Sequence, residues 1–272
     1  MIKGKAFSRI YADYFMASRL GVYYDILKKA ISRGYVFMTV LDYMLYQKKG
    51  KSLPEKVIIN RHDIDTDLVT AKKIFNIEVE LGVRSTFYFR IKTLDFKLMQ
   101  DIYRWSGEAS YHYEELATYI KKHSIADKNI LLSNISHIRS NFIKNFKYIE
   151  DNVGYKLYTV ASHGDFINRK TGVPNKLILE DENTRKKCGI IGEVYDKSII
   201  NSLDIYISDK QYPKYYYPIS PFDAMGKQKI ICLLTHPRHW SVNWCDTTRE
   251  NITRMYEGGK YYFVRKCVSL LN

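Results

Sequence analysis

Apolar positions recur at helical spacing in the first part of the chain and in short alternating blocks after it. In residues 1–50 the stretch YYDILKKAISRGY places Tyr24, Ile26, Leu27, Ala30 and Ile31 near one helix face, and Gly34 can stop the helix. After Pro54 the pattern changes. VIINRHDID reads as a short apolar strand and RSTFYFRI as a second one. Between them, DLVTAKKIFNIEVELG reads as a helix with Leu68, Ala71, Phe75 and Val79 on one stripe and Gly82 as its stop. Further on, LDFKLMQDIYRWS is helical and EASYHYE is a brief strand leading into ELATYIKKH. NILLSNISHIRSNFIKNFKYIEDNVG reads as one long helix carrying Leu131, Ile135, Ile138, Phe142, Phe146 and Ile149 at helical spacing. The strands YTVASHGD, CGIIGEVYD, DIYISD and KIICLLTHP follow, with NKLILED and KSIINSL as intervening helices.

About seven strands alternating with helices predict an α/β fold whose parallel sheet closes into a barrel, with an open doubly wound sheet as the alternative. The expected organisation is a helical cap over residues 1–50 and a barrel domain over residues 51–272. With 272 residues, 46% of them hydrophobic, the chain can bury one sizeable core. No run approaches the roughly 18 consecutive apolar residues a membrane span needs.

Composition adds less than pattern does. Cys188, Cys232, Cys245 and Cys267 are widely spaced and form no metal-binding or redox pair, which suits a reducing cytoplasm. The formal net charge of +14 comes from lysines spread along the chain. It fits a solvated basic surface, and it equally fits attraction to a phosphate-bearing ligand, an acidic ligand or peripheral contact with a membrane surface. Nucleic acid is not the expected partner, because no nucleic-acid motif accompanies the charge.

Candidate chemistry gathers where the predicted strands stop, which is where a parallel α/β barrel builds its active site. Read in order, the strand ends offer His62, Asp63 and Asp65; His112, Glu114 and Glu115; His163 and Asp165; Glu193; Asp209; and His236, Arg238 and His239. Five of the seven histidines fall there. Each residue also has a structural explanation. Asp65 or, better, Asp67 can cap the following helix, His112 can be a hydrogen-bonded core histidine, and Pro237 can simply end a strand. Their collection at one end of one barrel favours function.

RHDID, GVRSTFYF, GEASYHYE, SHGDFINR, YISD and LLTHPRHW, in this order, resemble motifs of the polysaccharide deacetylase superfamily, also called carbohydrate esterase family 4, in a divergent intracellular-type branch. The likeness covers roughly residues 34–265. The resemblance implies a distorted (β/α)7-type barrel and a divalent metal, usually zinc, held by one Asp and two His. It also implies a second Asp as general base, a late His as general acid and an N-acetylated sugar as substrate. On this chain it makes Asp63 the catalytic base, Asp65 and His112 metal ligands, and His236 the catalytic acid, with the two Asp roles open to exchange because Ile64 separates them.

One position departs from the family pattern. The second motif histidine, four residues after the first, is Leu116 here. His163 at the next strand end is the preferred replacement ligand, since zinc accepts an N,N,O set with an open fourth position. Glu114 or Glu115 is the alternative source of a ligand.

Arg61, Arg169 and Arg238 lie beside these motifs and can pair either with a phosphate or carboxylate of a substrate or with neighbouring Asp. Asp165 and Asp209 join them as expected substrate contacts, and Trp240 as a face for a sugar ring. The expected substrate is an acylated amino sugar, or a nucleotide- or lipid-linked glycan precursor. The rival is a catalytically inactive carbohydrate- or nucleotide-sugar-binding protein that kept the cleft and lost the metal.

Overall fold

The computed structural model describes residues 2–50, 52–125 and 127–271. Its strands are β1 (Val36–Met38), β2 (Val57–Ile64), β3 (Thr86–Phe89), β4 (Glu108–Tyr113), β5 (Thr159–Ser162), β6 (Gly192–Glu193), β7 (Ile205–Asp209), β8 (Tyr216–Tyr217) and β9 (Ile230–Thr235). Its α-helices are α1 (Ile2–Ile10), α2 (Leu20–Ser32), α3 (Val40–Lys48), α4 (Leu68–Leu81), α5 (Phe96–Arg104), α6 (Glu115–His123), α7 (Lys128–Ser133), α8 (Ile135–Val153), α9 (Phe166–Thr171), α10 (Glu182–Cys188), α11 (Lys197–Ile200), α12 (Pro221–Ala224) and α13 (Trp244–Leu271). Strands alternating with helices and pairing mainly in parallel make this a mixed α/β fold, as the hydrophobic pattern predicts. Two compact units divide the chain, one of residues 1–110 and 196–247 and the other of residues 111–195 and 248–272, so residues 1–50 belong to the first.

In the first unit β2 is the central strand, buried along its whole length. One edge pairs with β1 over Val57–Ile59 and with β3 over Arg61–Ile64; the other pairs with β9 over Val57–His62, all in parallel. β7 adds in parallel to β9, and β8 pairs antiparallel with β7. β8 and β1 fall outside the predicted elements. β1 lies in the stretch read as wholly helical, and β8 spans only Tyr216–Tyr217, too short for period-two alternation to register.

Helix α4 follows β2 because Asp67 caps its first turn, accepting from Thr70 N at 3.0 Å, and Gly82 ends it at φ 67°, a left-handed conformation a side chain would strain. Its buried stripe is Ala71, Ile74, Phe75 and Glu78, with Val79 only half-buried. Burial of Ile74 and Phe75 stabilises the fold by about 1.5–3 kcal/mol each. On α2 Ile26, Leu27 and Ala30 form the buried stripe as predicted, with Tyr23 in place of Tyr24 and with Ile31 exposed.

In the second unit β4, β5 and β6 pair in parallel, Tyr111–Tyr113 against Val160–Ser162 and Thr159–Val160 against Gly192–Glu193. The predicted long helix is two helices, α7 and α8, separated at Asn134. Ile138, Phe142, Phe146 and Ile149 nevertheless form the buried stripe of α8, with Phe142 stacked on Tyr111 at 5.9 Å and edge-on to Tyr113 at 5.1 Å. Among the described residues no helix is long and apolar enough to cross a membrane.

Candidate functional site

Alternation along β2 sorts its polar residues, Asn60, Arg61, His62 and Asp63, onto opposite faces. Asn60 and His62 point one way, into a buried network in which Glu78 Oε1 accepts from Asn60 Nδ2 at 2.7 Å and lies 2.7 Å from His62 Nε2. Tyr23 from α2 adds its hydroxyl to the same oxygen at 2.5 Å. This network holds α2 and α4 on β2, so His62 serves the scaffold. Arg61 and Asp63 point the other way and pair as a two-pronged fork, Nε to Oδ1 at 2.8 Å and Nη2 to Oδ2 at 2.7 Å, both almost fully buried. The fork fixes the plane of the Asp63 carboxylate. Arg61 is thereby spent on Asp63, with Tyr88 5.5 Å from its guanidinium, and is sealed from solvent. Asp65 follows the end of β2 and is half-buried.

The same unit brings a carboxylate to two imidazoles. Asp209 closes β7, and His236 and His239 flank Pro237 just after β9. Asp209 Oδ2 accepts from the backbone N of His236 at 2.7 Å and from Trp240 Nε1 at 2.9 Å, while Oδ1 meets His236 Nδ1 at 2.7 Å. His239 Nδ1 lies 3.0 Å from that same Oδ1, off the line of a hydrogen bond. Burial alone would discharge His236, but the charge and hydrogen bond of Asp209, with Asp65 and Asp63 adding, hold it up to about 9. Burial would likewise raise the Asp209 carboxyl, yet His239 and His236 keep it well below the usual carboxylate range. His239 is pushed down, first by burial and then by the neighbouring His236 and Arg238 charges, against the pull of Asp209.

These contacts reassign three expected substrate residues. Asp209 gives its oxygens to His236 and Trp240. Trp240 is fully buried, 5.2 Å from the Tyr23 ring, and offers no face to a sugar. Arg238 donates to Asp13 at 3.0 Å; Asp13 is buried and Arg238 half-buried. The Asp13 partnership joins residues 225 positions apart, which no local pattern marks.

In the second unit His112 ends β4 and His163 follows β5, their rings edge to face at 5.2 Å. His112 Nδ1 lies 3.0 Å from the Ala161 carbonyl, so it donates there and Nε2 is the ring's acceptor nitrogen. His163 Nδ1 lies 3.5 Å from Glu114 Oε2, and Glu114, His163 and Asp165 each offer a ligand atom within 4.8 Å of one another. Asp165 also caps α9, accepting from Ile167 N at 3.0 Å, and binds Lys121 Nζ at 2.9 Å. Asn175 supports this corner: it donates to the His163 carbonyl at 2.6 Å and accepts from Ala117 N at 2.9 Å. It sits in a short 3-10 helix away from the strand ends, which is why a strand-end reading passes over it.

Glu115 is not part of the cluster. It is buried against the Tyr111 hydroxyl and Asn145, and its carboxyl is raised by desolvation. Leu116 is fully buried in α6, so that position is a packing position in this chain. Arg169 is exposed in the last turn of α9, and Glu193 accepts backbone N–H groups from Ser162 at 2.9 Å and Tyr195 at 2.8 Å.

Ligand spacing separates the two clusters. Atoms about 2.0–2.1 Å from a tetrahedral ion lie about 3.3 Å apart. Asp209, His236 and His239 also offer ligand atoms within 4.8 Å of one another, and there the 2.7 Å contact between Asp209 and His236 is a hydrogen bond. The 3.5 Å contact between Glu114 and His163, beside a His112 whose Nδ1 is already fixed on a carbonyl, suits ligands of an ion.

No family model matches the chain, and no curated protein matches it. Among solved structures the chain is similar to Streptococcus pyogenes deacetylase PplD in complex with acetate, with a TM-score of 0.44 and 11% identity over 61% of this chain and 68% of that one.

Proposed function

We propose that this chain is a metal-dependent, deacetylase-like hydrolase on a distorted (β/α)7-type barrel, removing an N-acetyl or similar small acyl group from an amino sugar in cell-surface glycan biosynthesis. The observation that carries the reading is the His236–Asp209 pair: an imidazole at a strand end, charged at neutral pH, with its Nδ1 committed to a buried carboxylate. Such a ring holds its transferable proton on Nε2, as a general acid must.

The reading assigns the ion, zinc or a similar divalent metal, to Asp65, His112 and His163. The donor chemistry of the second unit fits it, since His112 is fixed in the ligating tautomer and His163 lies beside two carboxylates. When bound, the ion supplies Lewis acidity toward the acyl carbonyl and the attacking water. Asp63, its plane held by Arg61, takes the proton released as water adds. His236 gives its Nε2 proton to the departing amine, and Asp209 stabilises the imidazolium until then and orients the ring after it. Exposed Arg169 is available to a phosphate of a nucleotide- or lipid-linked substrate. The separated cysteines fit a cytoplasmic reaction.

The test compares Asp63→Asn with Asp65→Asn for bound metal and for acetate released from N-acetylated amino sugars. Loss of rate with metal retained is expected for Asp63→Asn, and loss of both for Asp65→Asn. If both variants keep wild-type metal and rate, the pair is structural and the hydrolase reading falls. A wild-type chain that binds N-acetylated sugar without metal or acetate release would be the inactive binding protein.

A further inference from the structure

The first unit carries an apolar face that its own core does not use. Ala12 and Met16 are buried, while Phe7, Ile10 and Phe15 on the same segment are 68%, 53% and 66% exposed. Trp244, at the start of α13, is 60% exposed, with Tyr14 and Phe15 edge-on to its ring at 5.7 and 6.3 Å. The segment is fastened to the rest of the unit from beneath: Tyr11 packs on Tyr212 at 4.7 Å, and Asp13 takes Gln211 at 3.1 Å and Arg238 at 3.0 Å. The loop so engaged exposes Lys210, Lys214 and Tyr217.

Charge says what covers such a face. Residues 1–20 contain Lys3, Lys5, Arg9 and Arg19 against the single acid Asp13, a net of +3, and that acid is buried. On α1, Phe7 and Ile10 share one stripe by their spacing of three, and Arg9, its side chain 58% exposed, lies 3.5 Å from Asp13. Exposed Phe7 on a short basic helix, with Phe15 after it and Trp244 packed alongside, makes the composition of a segment lying in a lipid interface, where apolar rings enter the acyl boundary and cations meet anionic headgroups. Exposed apolar groups gathered in this way mark an interaction surface.

We propose that α1, the turn through Phe15, and Trp244 form a docking face for an anionic membrane surface. The proposal is independent of the hydrolase reading, because no residue of the candidate site belongs to the face.

Co-sedimentation with vesicles tests it, using phosphatidylcholine alone and phosphatidylcholine mixed with phosphatidylglycerol, at low and high salt. The wild-type chain should pellet with the mixed vesicles only, and less so at high salt, with Trp emission shifting to the blue. The triple variant Phe7→Ser, Phe15→Ser, Trp244→Ser should lower the partition coefficient by about tenfold or more. Lys3→Glu with Lys5→Glu, which leaves every aromatic in place, should lower it by about fivefold or more per charge. The proposal is overturned if wild type ignores both vesicles, or if the two variants bind as wild type does. It is equally overturned if the wild-type face proves to be covered by a second copy, seen as a dimer that the triple variant abolishes with no vesicle binding in either.

Discussion

Two clusters of histidine and carboxylate, one in each unit, differ in spacing: Asp209 lies 2.7 Å from His236 Nδ1, whereas Glu114 lies 3.5 Å from His163 Nδ1. Around Asp209 the carboxylate oxygens are saturated by His236, its backbone N–H and Trp240, with ring nitrogens 2.7 and 3.0 Å from one oxygen. That is the scale of a shared proton. Around His163 the nearest carboxylate oxygen of Glu114 is 3.5 Å from Nδ1, and His112 is fixed through a backbone carbonyl and not a carboxylate. A group of His and Asp is therefore not a metal site by composition; heavy-atom distances and the fate of the second ring nitrogen separate a proton store from a ligand set.

The largest expected effect is on the proton side of this contrast. His236→Ala should lower turnover by about 10² to 10⁴ while leaving bound metal unchanged, which single-turnover kinetics and elemental analysis check together. A loss of metal in that variant would merge the two clusters.

Asp63→Asn acts on both rate and fold. The Arg61–Asp63 fork is buried on both sides, and removing one charge leaves the other uncompensated, a loss of about 3–5 kcal/mol. Chemical denaturation measures that term, and rates should be referred to the folded fraction. Arg61→Met with Asp63→Asn should recover much of the stability and none of the rate.

A smaller effect distinguishes positioning from proton transfer. His236 is raised from 6.5 to about 9, so the stability from its pairing is fully present below pH 6.5 and is lost as pH rises through about 9. The rate through a protonated His236 should fall over the same upper range. In Asp209→Asn that limb should move down toward 6.5, which a pH profile of kcat/KM shows. An unmoved limb would detach Asp209 from the acid. Smallest of all, Trp240→Phe removes one hydrogen bond to the Asp209 carboxylate, worth about 1.5–3 kcal/mol, and should lower kcat with KM unchanged. A raised KM would return Trp240 to substrate binding.

Much of this architecture was legible as periodicity. β2 follows from a continuous apolar run, α4 from a capping Asp67 and a terminating Gly82, and the α8 stripe from apolar positions three and four apart. The placement of His112, His163, Asp209 and His236 at strand ends is also read from the sequence and found in the structure. Partnership was not legible, because it depends on contacts distant in sequence. Asp13 meets Arg238 across 225 positions, and Asp209, expected to contact substrate, meets His236 across 27. Trp240 is expected as a face for a sugar ring, yet its indole fills the first unit's core and donates to Asp209. The break at Asn134 and the exchange of Tyr24 for Tyr23 on α2 are finer than apolar spacing alone resolves.

The central claim is that one cluster holds an ion and the other a proton, and bound metal in matched preparations tests it most directly. Wild type, His112→Ala and His236→Ala, each exposed to zinc and then passed through the same desalting, should carry about one ion, almost none and about one ion respectively. Equal near-zero metal in wild type and His112→Ala, with the same response to added zinc, would contradict the claim, as would loss of the ion from His236→Ala alone.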